Sequence, residues 1–489
     1  MSATKAAEGG PARLDSGLLT LLGVMVLGGM MSYLDATIVN VGISTLSSEF
    51  TVTLATIEWV TTGYLLAVAL AIPLAGWAMV RFGAKRMWLL GLTVFLIGST
   101  LAAFAWNAES LIAFRIVQGL GGGMIDPIMM TVVAGAAGPE RIGRVMGLIS
   151  VPITLGPVVG PIVGGLILDS LSWEWLFLVN IPFALAAIVL AVKVLPADPP
   201  PSGDPVPLDA VGVFLLSPGF AALVYALSQA GAHGFGSARV LVGIAVGLAL
   251  FVAYVVHALR TDKTPLLDLR LFSNKGFTAG VTTMFLLGGG LFSLLFLLPL
   301  YYQQVHGHSV LESGLLLAPL GLGTLIGMPL AGNLADRFGA KVLVPTGALL
   351  IGAGALVFTG SGPDSSQPLL TAAQLAAGFG MGLVGAPTMG SVYRTVPGES
   401  VAGATGAVFI LNQIGASLGI AVVALILQGG GAHTTPTTES FGDAFWWVVV
   451  AAVVVFLAGL LLPGRPAPVP EAPADPTDDA SPRPVADPV

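Results

Sequence analysis

The chain has 489 residues, of which 55% are hydrophobic and 9% charged, with no cysteine and a formal net charge of −7. A soluble domain carries about 25% charged residues, so this composition excludes a fold solvated mainly by water. It also excludes disulfides and thiol chemistry. The five histidines are scattered and make no metal site, and no phosphate loop, nucleophile–base pair or nucleic-acid-binding pattern is present. An enzyme and a nucleic-acid partner are therefore not expected, and no cofactor is.

Residues 1–17 form a polar tail with Lys5 and Arg13. The apolar run that follows is too long for a signal peptide and contains Asp35, so it reads as an uncleaved first span. Apolar runs of about 20 residues, each long enough to cross a bilayer as a helix, then recur along the chain. Fourteen are expected, over 18–43, 55–79, 87–106, 109–136, 142–168, 174–194, 209–229, 238–259, 277–302, 310–333, 341–360, 367–392, 402–428 and 442–463. The ~10-residue alternating segments of a membrane barrel are absent. The fold class is an all-α integral membrane protein.

The expected organisation is a six-helix bundle at 18–195, a linker at 196–208, two inserted helices at 209–260, a second linker at 261–276 and a second six-helix bundle at 277–463. The first linker contains ADPPPSGDPVPL, a stiff proline-rich stretch. The inserted pair carries almost no ionisable residues and reads as a peripheral addition. The tail 464–489, rich in proline, alanine and aspartate, is expected to be disordered. Apart from Arg115, which lies within a span, and Arg239, which falls opposite, every lysine and arginine falls on the side of the N-terminus, which places both termini in the cytoplasm.

Two stretches repeat: GWAMVRFGAKR at 76–86, after the second span, and GNLADRFGAK at 332–341, after the tenth. Two halves of six spans each follow from that placing, an arrangement used by transporters that hold their substrate near mid-membrane between the halves. In the loops, Gly76, Gly83, Gly332 and Gly339 let helices approach. Arg81, Lys85, Arg86, Arg337 and Lys341 anchor at the anionic leaflet, and Asp336 can cap a helix or latch the halves. A loop that only sets topology is the plainer alternative.

The charges inside spans are costly and need a reason. Asp35 lies ~8 residues, about 12 Å, from the outer end of its span, and Arg115 ~6 residues, about 9 Å, from the outer start of its own. A shared depth allows them to pair, either as a coupling site or as a static pair that fixes packing. Asp126 follows Arg115 by eleven residues, which returns it to within ~20° of the same face about 16 Å further inward. It reads as a cavity carboxylate reached from the cytoplasm, or as a silent group near Pro127, where a bend is expected. The run Gly121, Gly122, Gly123 between them allows a helix or a substrate to come close. Glu58, Tyr64, Gln118, Tyr301, Tyr302, Asn412 and Gln413 are further candidate polar groups of the cavity.

The two loops resemble the glycine-aspartate-arginine-glycine loop of the major facilitator superfamily. LDATIVNV (34–41), LIAFRIVQGLGGG (111–123) and LGPVVGPIVGG (155–165) resemble the first-, fourth- and fifth-span motifs of its fourteen-span drug:proton antiporters, the EmrB/QacA-type branch. WEWLFLVNIP (173–182), LPLYYQQVHGHSVLESGLLLAP (298–319) and LNQIGASLG (411–419) are similar to that branch as well. The sequence departs from the family pattern at Val80, where an aspartate is usual, at Glu174, and at Glu58 and Asp126. The Val80 departure leaves Asp336 as the one latch carboxylate expected in the loops.

The resemblance implies a 6+2+6 alternating-access transporter in a bacterial inner membrane, driven by the proton gradient. Its partners would be protons, membrane lipid and a hydrophobic, cationic small molecule, and it would act as a monomer. Asp35 and Arg115 would form the proton-coupling pair. Gly156, Pro157, Gly160, Pro161, Gly164 and Gly165 would form the hinge that favours export. A dedicated exporter of a lipid, a siderophore or a self-made antibiotic is the alternative, and a transport-inactive scaffold a more distant one.

Overall fold

The computed structural model describes residues 15–198, 207–261, 265–427 and 437–464. The N-terminal tail to residue 14, most of the linker 196–208 and the C-terminal tail from 465 lie outside the described residues. The regular structure described is helical: α1 (Ser16–Val41), α2 (Ile43–Glu49), α3 (Leu54–Ile57), α4 (Trp59–Phe82), α5 (Ala84–Ala103), α6 (Ala108–Ser170), α7 (Trp175–Leu178), α8 (Asn180–Val194), α9 (Ala210–His233), α10 (Ala238–Arg260), α11 (Lys275–Gln304), α12 (Val310–Leu315), α13 (Ala318–Phe338), α14 (Ala340–Thr359), α15 (Gln367–Arg394), α16 (Val401–Leu427) and α17 (Thr438–Gly459). Short polar side chains start several of them: Asp15 accepts from the Leu18 amide, and Asn107, Ser309 and Thr437 each close a capping box.

Thirteen helical stretches among the described residues are long and apolar enough to cross a membrane. The expected span 142–168 is not one of them; it is the second arm of α6. Non-helical backbone in α6 falls at Gly138 (φ 69°, ψ 168°) and not at Pro127. The two arms run oppositely along α1. Arg115 meets Asp35, while Met129 and Asp126 lie beside Gly29, so the first arm is antiparallel to α1. Gly156 lies against Tyr33, Gly160 against Thr37 and Gly164 against Ile38, so the second arm is parallel to it. A positive φ suits glycine at the reversal.

Glycine also explains how closely α4, α5 and α6 pack. A Cβ at Gly119 would stand 2.5 Å from the Tyr64 carbonyl oxygen, and one at Gly121 would stand 2.6 Å from that of Gly91. At Gly123 it would meet the Val68 backbone. The run in α6 is therefore filled by neighbouring backbone. Buried residues of α1, α4, α5, α6 and α8, among them Trp88, Phe95 and Met129, form one core. Residues of α11 and α13–α17, among them Tyr301, Phe358 and Phe445, form another.

The repeated loops match in detail. Gly83 (φ 95°) and Gly339 (φ 77°) end α4 and α13 in the backbone region glycine favours. Arg81 lies 5.4 Å from the Phe82 ring centroid and Arg337 5.5 Å from that of Phe338. The Lys85 and Arg86 amides donate to Asp198 (2.9 and 3.1 Å), and Lys85 Nζ donates to the carbonyls of Val192 and Leu195. At the matching place in the second half, the Lys341 amide donates to the Pro463 carbonyl (3.3 Å). The carboxylate serving the first loop thus comes from Asp198, in the linker. Gly332 is buried, and the Asp336 side chain lies outside the described residues.

The inserted pair is not wholly peripheral. Helix α10 packs on α9, whereas α9 packs on both α4 and α16. Trp59 and Tyr225 stack across the α4–α9 seam with centroids 6.0 Å apart. His257 Nε2 meets Asp209 Oδ1 at 2.7 Å, which ties the end of α10 to the start of α9.

Candidate functional site

Two acidic centres face the first arm of α6. The outer one is fully buried. Arg115 donates through Nη1 to Asp35 Oδ2 (2.6 Å) and to Gln118 Oε1 (2.7 Å), and through Nε to the Val60 carbonyl (3.4 Å). Gln118 Nε2 (2.9 Å) and Asn180 Nδ2 (2.8 Å) donate to Asp35 Oδ1. Asn180 also donates to Ser99 Oγ (3.1 Å), which in turn donates to the Phe177 carbonyl (2.9 Å). Neither Asp35 nor Arg115 is reached by solvent. Burying a pair is costly unless its remaining hydrogen-bonding groups are satisfied, and here both carboxylate oxygens are. Arg115 Nη2 has no hydrogen-bond partner among the described residues. The guanidinium carbon instead lies 4.0 Å from the Tyr64 ring centroid, a cation–π contact.

The inner centre opens on a cavity of about 220 Å³ between the halves. Tyr33, Val68, Ile72, Asp126 and Met130 line it from the first half. From the second come Met284, Leu291, Phe292, Leu320, Met328, Met389, Phe409, Asn412 and Gln413, with others. Asp126 is the one charged side chain among the described lining residues. Tyr33 lines the same cavity, and Asp126 Oδ1 is buried without a hydrogen-bond partner among the described residues. Four methionines give the walls adaptable, polarizable surface. The volume is below the ~300–1,000 Å³ of common small-molecule pockets, so a larger guest requires the halves to part further.

On the side of the basic loops the halves touch. Thr131 Oγ1 donates to Thr405 Oγ1 (3.4 Å), Arg144 Nε donates to Asn333 Oδ1 (2.5 Å), and Gly76 lies against the Ala402 backbone. Thr131 is five residues beyond Asp126, about 7.5 Å along the helix. These contacts lie between Asp126 and the basic face and bring the halves together there.

Of the expected cavity groups, Asp126, Asn412 and Gln413 line the cavity. The others lie elsewhere. Tyr64 and Gln118 belong to the buried pair, because they lie on the faces of α4 and α6 turned toward Arg115. Tyr301 and Tyr302 are buried near the end of α11, where Gln374 donates to the Tyr302 hydroxyl (2.8 Å) and Tyr301 packs against Phe358, Phe441 and Phe445. Glu58 is exposed just before α4. Gly156, Gly160 and Gly164 form the small face on which α1 lies, whereas nothing is within 4 Å of a Cβ at Gly165. The side chains of Pro157 and Pro161 lie outside the described residues. Asn180 and Ser99 were not singled out from the sequence. Asn180 stands inside WEWLFLVNIP, where its amide was the available signal.

The sequence profile described as Major Facilitator Superfamily matches residues 25–420 and 320–487. The chain is 40% identical to the multidrug resistance protein B homolog of Mycobacterium tuberculosis, over 85% of this chain and 77% of the relative. It is 31% identical to the tetracenomycin C resistance and export protein of Streptomyces glaucescens, over 83% of this chain and 75% of the relative. The solved structure of the proton:xylose symporter XylE bound to 6-bromo-6-deoxy-D-glucose matches with a TM-score of 0.63 at 16% identity, covering 90% of this chain and 95% of that one. At that identity the likeness is one of fold alone.

Proposed function

The chain belongs to the Major Facilitator Superfamily, a family of multi-pass membrane transporters, and from that premise we propose that it exports hydrophobic cations in exchange for protons. The observation that carries this reading is Asp126, a lone carboxylate in an otherwise uncharged cavity between two repeated halves. A buried carboxylate without a full set of donors favours a cation beside it, and apolar walls favour a lipophilic one. The names of the relatives, a multidrug resistance homolog and an antibiotic resistance and export protein, support export of drug-like compounds.

In this reading the protein is a fourteen-span, 6+2+6 antiporter of the bacterial inner membrane with both termini cytoplasmic. The reversal of α6 at Gly138 supplies two of the crossings. Asp35, paired with Arg115, carries the coupling proton, and Asp126 receives the cation. The membrane potential contributes ~2.3 kcal/mol per charge per 100 mV, and the proton's chemical gradient adds to it. A second reading, export of one natural product, is favoured by the tetracenomycin relative.

The test is ethidium export from sealed proteoliposomes with an imposed pH gradient. Wild-type export that vanishes in Asp35→Asn, with Asp126→Asn losing cationic but not neutral substrates, is the expected result. A folded wild type that moves no ethidium, but does move a single metabolite, would replace this reading with the second one.

A further inference from the structure

The proposed proton and cation sites lie far apart. Arg115 and Asp126 are eleven residues apart on one helix, about 16 Å, and Asp35 is sealed from the cavity. An antiporter with two such sites needs a physical link between them. One side chain reaches from the pair part of the way toward Asp126.

We propose that Tyr64 is that link, a positioning residue that makes the charge state of the Asp35–Arg115 pair felt at Asp126. This rests on the antiport reading above. Three observations converge on it. Its ring carries the Arg115 guanidinium at 4.0 Å, next to the Nη2 that has no hydrogen-bond partner. Its hydroxyl points the other way along α6 and sits over Gly122, where a Cβ would be 3.0 Å from it. Gly122 in turn lies four residues before Asp126 on α6, about one helical turn or 6 Å away.

The consequence follows from charge balance. When Asp35 takes up a proton, Arg115 loses its counter-charge, and the Tyr64 ring is the group already in place against the guanidinium. Any shift of Arg115 moves the ring. The ring then moves the hydroxyl lodged over Gly122, one helical turn from the carboxylate proposed to receive the cation. Gly122 gives that hydroxyl its room. The glycine of the run whose Cβ would meet the Tyr64 side chain is thus a coupling position, unlike Gly121 and Gly123, which meet backbone.

The test is proton release on binding of tetraphenylphosphonium to the purified full-length protein in weakly buffered detergent, with binding measured in parallel. Wild type is expected to release protons, and Asp35→Asn to bind the cation without release. Tyr64→Phe keeps the ring on Arg115. It is expected to bind within about tenfold of wild type, the range of one lost hydrogen bond, while protons released per bound cation fall by half or more. Gly122→Ala displaces the hydroxyl without removing a titratable group and is expected to reduce release in the same direction. Unchanged release per bound cation in both folded variants would overturn the link, as would release that survives Asp35→Asn and is lost in Asp126→Asn. No release from wild type that binds the cation would instead overturn the antiport reading itself.

Discussion

Asp35 and Arg115 meet at 2.6 Å with no solvent reaching either side chain. Removing one partner of such a pair leaves an uncompensated buried charge and costs about 3–5 kcal/mol. Arg115→Gln is expected to lower stability by that order. Adding Asp35→Asn should recover much of the loss, because Gln118 and Asn180 already present amides to the site. Thermal unfolding in detergent of the two single variants and the double variant reads the coupling energy directly.

Asp198 accepts from two backbone amides at the start of α5, where Gly83 supplies no side-chain cap. Asp198→Ala is expected to cost about 0.5–2 kcal/mol, the range for loss of a cap. Asp198→Asn, which keeps one acceptor oxygen, should cost about half as much. Equal melting temperatures for wild type and the alanine variant would show that the linker carboxylate is not holding the loop.

Two glycines of α6 should behave oppositely. Gly119→Ala drives a methyl to 2.5 Å from the Tyr64 carbonyl and 2.9 Å from the Ala67 side chain, and such overpacking costs about 1–3 kcal/mol. Gly135→Ala meets nothing within 4 Å and should stabilise the helix by roughly 0.5–1 kcal/mol. Melting curves of the pair test whether close packing, and not flexibility, accounts for the glycine at 119.

Burial, and next the nearby His308, hold the His306 imidazole below its ordinary value. The fold therefore favours the neutral ring. That contribution is present above about pH 6.5, the ordinary value, and is lost as the pH falls through the lower folded value. His306→Gln keeps a partner for the Tyr301 hydroxyl, which His306 Nε2 meets at 3.2 Å. The variant should melt with wild type at pH 8 and above it at pH 5.

Much of this was legible in the chain because hydrophobic runs and charges inside them are rare, strong signals. The depth argument for Asp35 and Arg115 needed only span edges and helix rise, and the two side chains meet. The eleven-residue spacing likewise put Asp126 on the stripe that faces α1. Side-chain direction was the harder part. Tyr64 sits at a helix position compatible with a cavity, and only the crossing of α4 over α6 turns it toward Arg115, whereas Gln118 is turned there by its place three residues on along the same helix. Glu58 falls inside the expected span 55–79, but α4 begins only at Trp59, which leaves Glu58 exposed ahead of it. Asp198 was invisible as a partner because its role depends on a contact 113 residues away in sequence.

Helix α9 lies across α4 of one half and α16 of the other. Any rocking that draws those two helices apart must peel α9 from one of them and give up the apolar surface buried there. In the transport reading proposed above, a guest dissolved in the bilayer would find the flank covered by α9 walled. The added hairpin would thus act as a strap that ties the two halves together along one edge.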